Sequence, residues 1–286
     1  MVEVRAAREP DIEPICRLLH DRMNARLSVA EWRRLMSYGW LREKPDFGVV
    51  VEAAGEIAGY LGVVYAERDV DGLTARTGNL TSWYLAKPYR GQGIGMDMLS
   101  QATSDPAVTY TTFSSTPRVL PMMERAGLAP LDTERFIWRR DPQGESGLDI
   151  VEGLAAVRPR LGPREGRLLD DHAGFNVAPY LIRTPGGTCL VILSIRMKGA
   201  DVAYHEALYV GDGGVFAAHA AAFANAILPP RPSLVAVDRR FLAGQAVDAE
   251  REPIPVPRYA RTVAPLAPER VDFLYSEIPL LDLKLY

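Results

Sequence analysis

Apolar residues in the first quarter of the chain recur first at helical and then at strand spacing. In residues 10–24 they lie three or four positions apart, which predicts a helix that begins near Pro10, and residues 27–38 predict a second helix. Apolar runs at 47–54 and 57–67, separated by a glycine turn, predict two antiparallel strands. The chain therefore opens with a helix pair followed by a β-hairpin.

A glycine-rich stretch separates the next predicted elements. Residues 79–85 predict a strand, and the apolar periodicity of residues 94–102 predicts a helix. Residues 107–113 are rich in β-branched and aromatic side chains, which favour a strand. The predicted order is strand, glycine loop, helix and strand.

A similar order recurs after residues 141–149, a polar Gly- and Pro-containing segment that predicts a linker. The elements predicted beyond it are a helix at 163–173, strands at 177–183, 188–197 and 200–210, a glycine loop at 211–214, a helix at 215–228 and a strand at 233–238. This recurrence predicts a tandem duplication of one α+β unit. The proline-rich residues 251–268 are expected to run extended over the surface, and residues 271–278 to form a last strand.

Composition narrows the class of protein. A length of 286 residues with 48% hydrophobic and 24% charged residues predicts a folded protein of about two domains. The net charge of -3 provides no basic field for nucleic acid, and the apolar stretch at 217–228 is too short to span a membrane. Cys16 and Cys189 lie in separate elements, so we expect neither a disulfide nor a metal site, and we expect a cytoplasmic location.

The glycine loop, Arg90-Gly91-Gln92-Gly93-Ile94-Gly95, carries the clearest chemistry. It leads from a predicted strand into a helix N-terminus, where backbone N–H groups and the helix dipole favour an anion. The glycines let a pyrophosphate approach the backbone, and Lys87 adds positive charge beside Arg90. The string fits neither the phosphate loop of nucleoside triphosphatases nor a dinucleotide-binding fingerprint.

The segment Tyr-Leu-Ala-Lys-Pro-Tyr-Arg-Gly-Gln-Gly-Ile-Gly at 84–95 resembles the coenzyme loop of the GNAT superfamily of acyl-CoA-dependent N-acyltransferases. The element order of residues 2–140 is also similar to that family. The resemblance implies an α+β fold with a mixed, mainly antiparallel central sheet flanked by helices. It further implies two tandem GNAT-like domains, an N-acyltransferase domain at 1–143 and a degenerate copy at 150–286.

The resemblance also implies the co-substrate and the way it binds. Acetyl-CoA, or another short acyl-CoA, would enter an opening between the strands at 79–85 and 107–113, with no metal ion involved. The residues implied in coenzyme binding are Trp83, Leu85, Arg90, Gly91, Gln92, Gly93, Ile94 and Gly95. An amine would then attack the thioester directly.

Two positions depart from the family pattern. Asn79 stands where many members have the glutamate that deprotonates the amine, and Met123 stands where they have the tyrosine that protonates the thiolate. Substitutes for these groups are sought among Glu67, Asp69, Tyr84, Tyr110, Ser114 and Ser115. The resulting catalytic set is Asn79, Tyr84 and Ser115.

The acceptor is less constrained by the sequence. The family places its acceptor cleft beside the first helix pair, which carries the polar and aromatic residues His20, Asp21, Arg22, Asn24, Arg26 and Trp32. Short segments near residues 168–173 and 274–281 resemble tandem acyltransferase-like proteins of polysaccharide synthesis, which makes an amino sugar one expected small-molecule acceptor. A non-catalytic acyl-CoA sensor or scaffold is the alternative, and a homodimer is left open.

Overall fold

The computed structural model describes residues 2–144, 147–199 and 201–285. The strands in these residues are β1 (Val2–Ala6), β2 (Val49–Ala53), β3 (Glu56–Val70), β4 (Leu73–Leu85), β5 (Val108–Thr112), β6 (Ala129–Arg139), β7 (Asp149–Glu152), β8 (Ala178–Thr184), β9 (Gly187–Lys198), β10 (Val202–Val210), β11 (Ser233–Asp238) and β12 (Glu250–Arg261). The α-helices there are α1 (Ile12–Arg22), α2 (Val29–Ser37), α3 (Ile94–Ala102), α4 (Leu120–Arg125), α5 (Leu154–Val157), α6 (Pro163–His172), α7 (Gly213–Ile227) and α8 (Glu277–Leu280). None of the described helices is both long enough and apolar enough to cross a membrane.

The chain forms two compact units that do not follow the predicted boundary at 143–150. Unit 1 consists of Met1–Pro130, Arg258–Ala267 and Tyr275–Leu283. Unit 2 consists of Leu131–Pro257, Pro268–Leu274 and Lys284–Tyr286. The predicted boundary is wrong because β6, which precedes it, pairs with β11 of unit 2, with Phe136 opposite Val237. Of the predicted linker, residues 145 and 146 lie outside the described residues.

Unit 1 contains the elements predicted for the N-terminal half. Its strand order is β1-β2-β3-β4-β5, followed by the last residues of β12, which pair with β5. All of these pairs are antiparallel except β4 with β5, which run parallel because α3 carries the chain back between them. The helix pair α1 and α2 connects β1 to β2. The predicted α+β class with a mixed, mainly antiparallel sheet is therefore confirmed.

Unit 2 has the same topology. Strands β7, β8, β9 and β10 are antiparallel neighbours, and β10 runs parallel to β11 across α7. The antiparallel neighbour on the far side of β11 is β6. In each unit this last strand therefore comes from the other half of the sequence: β12 in unit 1 and β6 in unit 2. The common topology supports the predicted duplication, and the exchanged strands explain why the units are discontinuous in sequence.

Two predictions for the C-terminal region are wrong, the first of them in part. The proline-rich tail is extended as predicted, but it does not lie on the surface throughout: Glu250–Arg261 forms β12, in which Ile254 and Arg258 are buried. Its prolines stand at alternate positions, so the missing N–H groups all face one edge and the other edge keeps its donors. Residues 271–278 do not form a strand either, because Ser276 caps α8 by accepting a hydrogen bond from the N–H of Ile278 at 3.1 Å.

Candidate active site

The sheet of unit 1 opens between β4 and β5. The parallel pairing runs from Arg76 opposite Val108 to Asn79 opposite Thr111, and β4 then continues to Leu85 without β5. The register of β4 on β3 shifts in this segment, and Ser82 has a left-handed backbone with φ of 52°. Such a bulge bends a strand and increases its twist. The bulge thus turns the end of β4 away from β5 and leaves room for a ligand between them.

A cavity of about 620 Å³ lies at the end of β4, and we call it the loop cavity. It falls within the size range of ordinary ligand pockets. Its walls come from β4, the glycine loop, the start of α3, and the segment that contains α4. The lining residues are Trp83, Tyr84, Leu85, Arg90, Gly91, Gly93, Gly95, Met96, Thr116, Arg118, Val119, Met122 and Arg125.

The glycines of the loop are required by its backbone shape. Gly91 and Gly93 have φ of 76° and 85°, in the left-handed region that favours glycine. Gly93 is the N-cap of α3, so the first N–H groups of that helix follow directly after it. A Cβ at Gly91 or Gly93 would meet open space, whereas one at Gly95 would lie 3.2 Å from Cε of Met122. The loop therefore keeps a bare backbone against the cavity.

The charge of the loop cavity is positive. Arg90, Arg118 and Arg125 line it, and its lining contains no acidic residue. The Nε of Arg90 donates a hydrogen bond to the carbonyl of Leu85 at 2.7 Å, which fixes this guanidinium at the end of β4. Three arginines beside a helix N-terminus suit the phosphates of a coenzyme. The residues present therefore fit the predicted co-substrate.

Six of the eight residues predicted to bind the coenzyme line this cavity: Trp83, Leu85, Arg90, Gly91, Gly93 and Gly95. The other two have different side-chain contacts. Gln92 donates to the carbonyl of Pro88 at 2.7 Å, and Ile94 packs against the core of unit 1. Sequence reasoning missed Arg118 and Arg125, because no motif ties them to the loop.

A second cavity of about 350 Å³ adjoins the first and shares Trp83, Thr116 and Val119 with it. We call it the neutral cavity, because no residue of its lining carries a charge. Its lining residues are Met23, Asn24, Leu27, Trp32, Leu61, Leu80, Thr81, Ser82, Trp83, Thr112, Ser114, Ser115, Thr116, Val119, Met123, Leu281 and Leu283. They come from the helix pair with its connecting loop, from β3, β4 and β5, from the segment after β5 up to α4, and from the C-terminal segment of unit 1, Tyr275–Leu283.

The three predicted catalytic residues do not converge on one point. Tyr84 lines the loop cavity, and Ser115 lines the neutral cavity with its Oγ 2.7 Å from Oγ1 of Thr112. Asn79 is 1% exposed and lines neither cavity. Its amide instead donates to Oγ1 of Thr111 at 3.1 Å. The structure thus gives Asn79 a role inside the sheet.

The other candidate catalytic and acceptor-site residues also lie in different places. Glu67 and Asp69 are exposed at the end of the hairpin, and Tyr110 is buried in the core of unit 1. Asn24 and Trp32 of the helix pair line the neutral cavity. The described residues contain no group of three or more histidine, cysteine or acidic side chains placed to hold a metal ion.

Glu277 is the residue of this region that sequence reasoning missed. Its Oε1 accepts a hydrogen bond from Oγ of Ser114 at 2.5 Å, and its N–H donates to Oδ1 of Asn79 at 3.4 Å. The side chain is fully buried, and this burial raises the pKa of its carboxyl to about 7, although Ser114 and the charge of Arg258 oppose the rise. Because 198 positions separate Glu277 from Asn79, no local signal could reveal the contact.

The corresponding loop of unit 2 is closed by its own residues. The carboxylate of Asp212 accepts a hydrogen bond from the N–H of Val215 at 2.9 Å and caps α7. A carboxylate there takes the place that a phosphate would occupy. Gly213 is also tightly packed, since a Cβ on it would lie 2.5 Å from the carbonyl oxygen of Phe241. That this unit is a degenerate copy stays a prediction.

The diverging parallel strands, the cationic glycine loop and the adjoining cavity have the features that the sequence resemblance implies for an acyl-CoA site. Residues 12–105 match the model of the acetyltransferase (GNAT) family. The match covers α1, α2, β2, β3, β4, the glycine loop and α3, and it is this segment that is similar to the family. No curated protein matches the chain.

Solved structures extend the similarity of fold to most of the chain. A GCN5-related N-acetyltransferase from Anabaena variabilis is 11% identical with a TM-score of 0.55, over 91% of this chain and 72% of that one. A probable N-acyltransferase of unknown function from Enterococcus faecalis is 12% identical with a TM-score of 0.56 and the same coverage. Eis1 from Mycobacterium abscessus is 14% identical with a TM-score of 0.50, over 91% and 73% of the two chains. At these identities the matches establish the fold alone.

Proposed function

We propose that this enzyme transfers an acetyl or other short acyl group from acyl-CoA to the amine of a compact, largely apolar small molecule. The observation that carries the proposal is the neutral cavity, which adjoins the loop cavity and has no charged residue in its lining. An acceptor with a carboxylate or several cationic groups would find no counter-charge there, and burying an unpaired charge is costly. A volume of about 350 Å³ limits the acceptor to a small molecule.

In this proposal the loop cavity of unit 1 binds the coenzyme and the neutral cavity binds the acceptor. The glycine loop with Arg90, Arg118 and Arg125 would hold the coenzyme phosphates. Acetyl-CoA supplies the acyl thioester. The end of β4, which β5 leaves unpaired, offers backbone groups that could bind the pantetheine and stabilise charge on the thioester oxygen. The neutral cavity would orient the amine for direct attack, and this positioning is itself a large part of catalysis.

The choice of acceptor provides a first test of this proposal. We expect kcat/KM for 2-phenylethylamine to be at least about tenfold higher than for glutamate or a polycationic aminoglycoside. A free-energy cost of about 1.4 kcal/mol for burying an unpaired charge is enough to give that ratio. Release of free thiol from acetyl-CoA measures the rates. A preference for glutamate or the aminoglycoside would contradict the assignment.

An amino sugar is the competing acceptor, because the neutral cavity also contains hydroxyl groups, among them those of Thr81, Ser82 and Thr112. Glucosamine therefore belongs in the same series. If glucosamine is preferred over 2-phenylethylamine, the hydroxyl groups rather than the apolar wall select the acceptor. If acetyl-CoA binds but no amine releases thiol, the protein acts as a sensor or scaffold.

Filling the neutral cavity should separate acceptor binding from coenzyme binding. Leu27→Trp adds bulk to a residue that lines the neutral cavity. We expect the KM of the amine to rise about tenfold, which corresponds to about 1.4 kcal/mol, and the affinity for acetyl-CoA to stay unchanged. Leu73→Trp is the matched control, because Leu73 is 61% exposed at the start of β4 and lines neither cavity. Equal kinetics in the two variants would exclude this cavity as the acceptor site.

A further inference from the structure

We propose that Ser114 and Glu277 form a proton relay that deprotonates the acceptor amine, with Ser114 as the catalytic residue and Glu277 as the positioning residue behind it. The inference rests on the proposed function, because it assumes that the acceptor lies in the neutral cavity. It assigns the deprotonation of the amine to the C-terminal segment of unit 1. Asn79 cannot perform this step, because an amide side chain is not basic.

The geometry places the two groups in series. Ser114 is exposed and lines the neutral cavity, so its hydroxyl is within reach of an acceptor. Glu277 is fully buried behind it and accepts the Ser114 hydroxyl at 2.5 Å through Oε1. Among the described residues, Oε2 of Glu277 has no hydrogen-bond partner. A buried carboxyl with one unsatisfied oxygen is costly, and its hydrogen bond to a hydroxyl that lines the cavity points to a functional reason for keeping it.

The position of Glu277 is fixed from several sides. Its N–H donates to Asn79 of β4, and Ser276 caps the short helix α8 that begins at Glu277. Ser114 follows β5, so the relay bridges the two strands that diverge at the opening. The C-terminal segment thus holds the backbone of Glu277 against Asn79, the position at which many members of the family that the sequence resembles have a glutamate.

The surroundings of Glu277 suit a base that works near neutral pH. Burial disfavours the carboxylate and raises the pKa to about 7, while the Ser114 hydrogen bond and the charge of Arg258 on β12 act against burial. Asn79 of β4 and Ser114 are neutral, so Arg258 is the charged side chain that affects Glu277 from the elements packed on it. A base whose pKa lies near the working pH is the most effective.

The proton transfers balance without any further reactant. The acceptor ammonium gives one proton to Oγ of Ser114, whose own proton passes to the carboxylate of Glu277. The freed nitrogen lone pair forms the C–N bond, the C–S bond breaks, and its electron pair stays on sulfur. A second proton moves from the nitrogen to that sulfur, which yields the free thiol and the neutral amide. Glu277 then returns its proton to water through Ser114.

The kinetic test compares Glu277→Gln and Ser114→Ala with wild type. We expect kcat to fall at least about 100-fold in both, within the usual range for general base catalysis, with little change in the KM of acetyl-CoA. In wild type kcat/KM should rise with pH through a pKa near 7, because Glu277 must be deprotonated to accept a proton, and Glu277→Gln should lose this limb. Glu269→Gln, an exposed residue of the same terminal region, is the matched control and should keep both rate and limb.

A second readout needs neither coenzyme nor acceptor. Because the folded-state pKa of Glu277 lies above that of an unfolded glutamate, the folded state binds the proton more tightly, and wild type loses stability as pH rises from about 4.5 to 7. Glu277→Gln lacks this titration. Its melting temperature should therefore increase relative to wild type across that pH interval, whereas that of Glu269→Gln should not.

The outcomes separate the relay from the function on which it rests. If Glu277→Gln and Ser114→Ala keep wild-type rates and the same rise of kcat/KM with pH (the acid limb of the profile), the relay is overturned and the acetyltransferase proposal still stands. A rate loss in Glu277→Gln with the acid limb retained would also overturn it, since the carboxyl would then be structural only. Absence of turnover by wild type with every amine would refute the proposed function itself. If Glu277→Gln does not fold, Ser114→Ala decides, because Ser114 is an exposed residue outside the helices and strands.

Discussion

Acetyl-CoA at about 100 times its Kd should raise the melting temperature of the wild-type protein by about 5–10 °C, and Gly93→Glu should abolish this rise. The expected stabilisation is about 2.7 kcal/mol, and each kcal/mol shifts the melting temperature of a domain of this size by about 2–4 °C. A glutamate at position 93 would extend a carboxylate from the cavity wall towards the phosphates, at the N-terminus of α3. Steric bulk and like charge both oppose binding.

Gly72→Glu is the matched control for this variant. Gly72 has φ of 82°, close to the 85° of Gly93, so both substitutions impose similar backbone strain. A Cβ at either position meets open space, but Gly72 lies in the turn between β3 and β4 and lines neither cavity. Gly72→Glu should lose stability like Gly93→Glu and keep the acetyl-CoA response. A full response in Gly93→Glu would show that the coenzyme binds elsewhere.

Arg240→Met should destabilise unit 2 by about 3–5 kcal/mol at pH 7, because it leaves buried carboxylates without their cation. Nη1 of Arg240 pairs with Asp132 and, at 2.9 Å, with Asp238, and its Nε donates to the carbonyl of Val271 at 2.7 Å. All three charged side chains are buried. Burial and the nearby Asp238 raise the pKa of Asp132 even with Arg240 present.

The pH dependence of this loss distinguishes an electrostatic cause from a packing defect. Without Arg240 the pKa of Asp132 in the folded state rises further, so the folded protein takes up a proton as the pH falls. The stability deficit of Arg240→Met should therefore shrink between pH 7 and pH 5. Arg239→Met is the control, since Arg239 pairs with Glu134 on the surface at 2.6 Å and such pairs contribute at most about 1 kcal/mol. Urea unfolding measures both; a pH-independent deficit would contradict the assignment.

The parts of the fold that could be predicted from the sequence are those with local signals. The periodicity at 10–24 and the glycine turn near residue 55 depend on residues close in sequence, and α1, β2 and β3 form there. The glycine loop was recognisable for the same reason, because its conformation needs glycine at Gly91 and Gly93. Local patterns thus located the coenzyme end of the site.

What the sequence did not reveal depends on contacts between distant segments. No local pattern shows that β6 pairs with β11, and the alternating prolines of β12 concealed a strand whose last residues, Tyr259 to Arg261, pair with β5. Glu277 reaches Ser114 across 163 positions, so the acceptor end of the site became visible only in three dimensions. The sequence shows the departure at Asn79, but the contact of Asn79 with the backbone of Glu277 spans 198 positions and has no local signal.

The central claim is that unit 1 binds acetyl-CoA at the glycine loop and transfers its acetyl group to an amine in the neutral cavity. Mass spectrometry of the products with 2-phenylethylamine as acceptor tests this most directly. We predict N-acetylated amine and free coenzyme A in equal amounts with wild type and with Gly72→Glu, and neither with Gly93→Glu. Thiol release without acetylated amine, or equal product from Gly93→Glu, would contradict the claim.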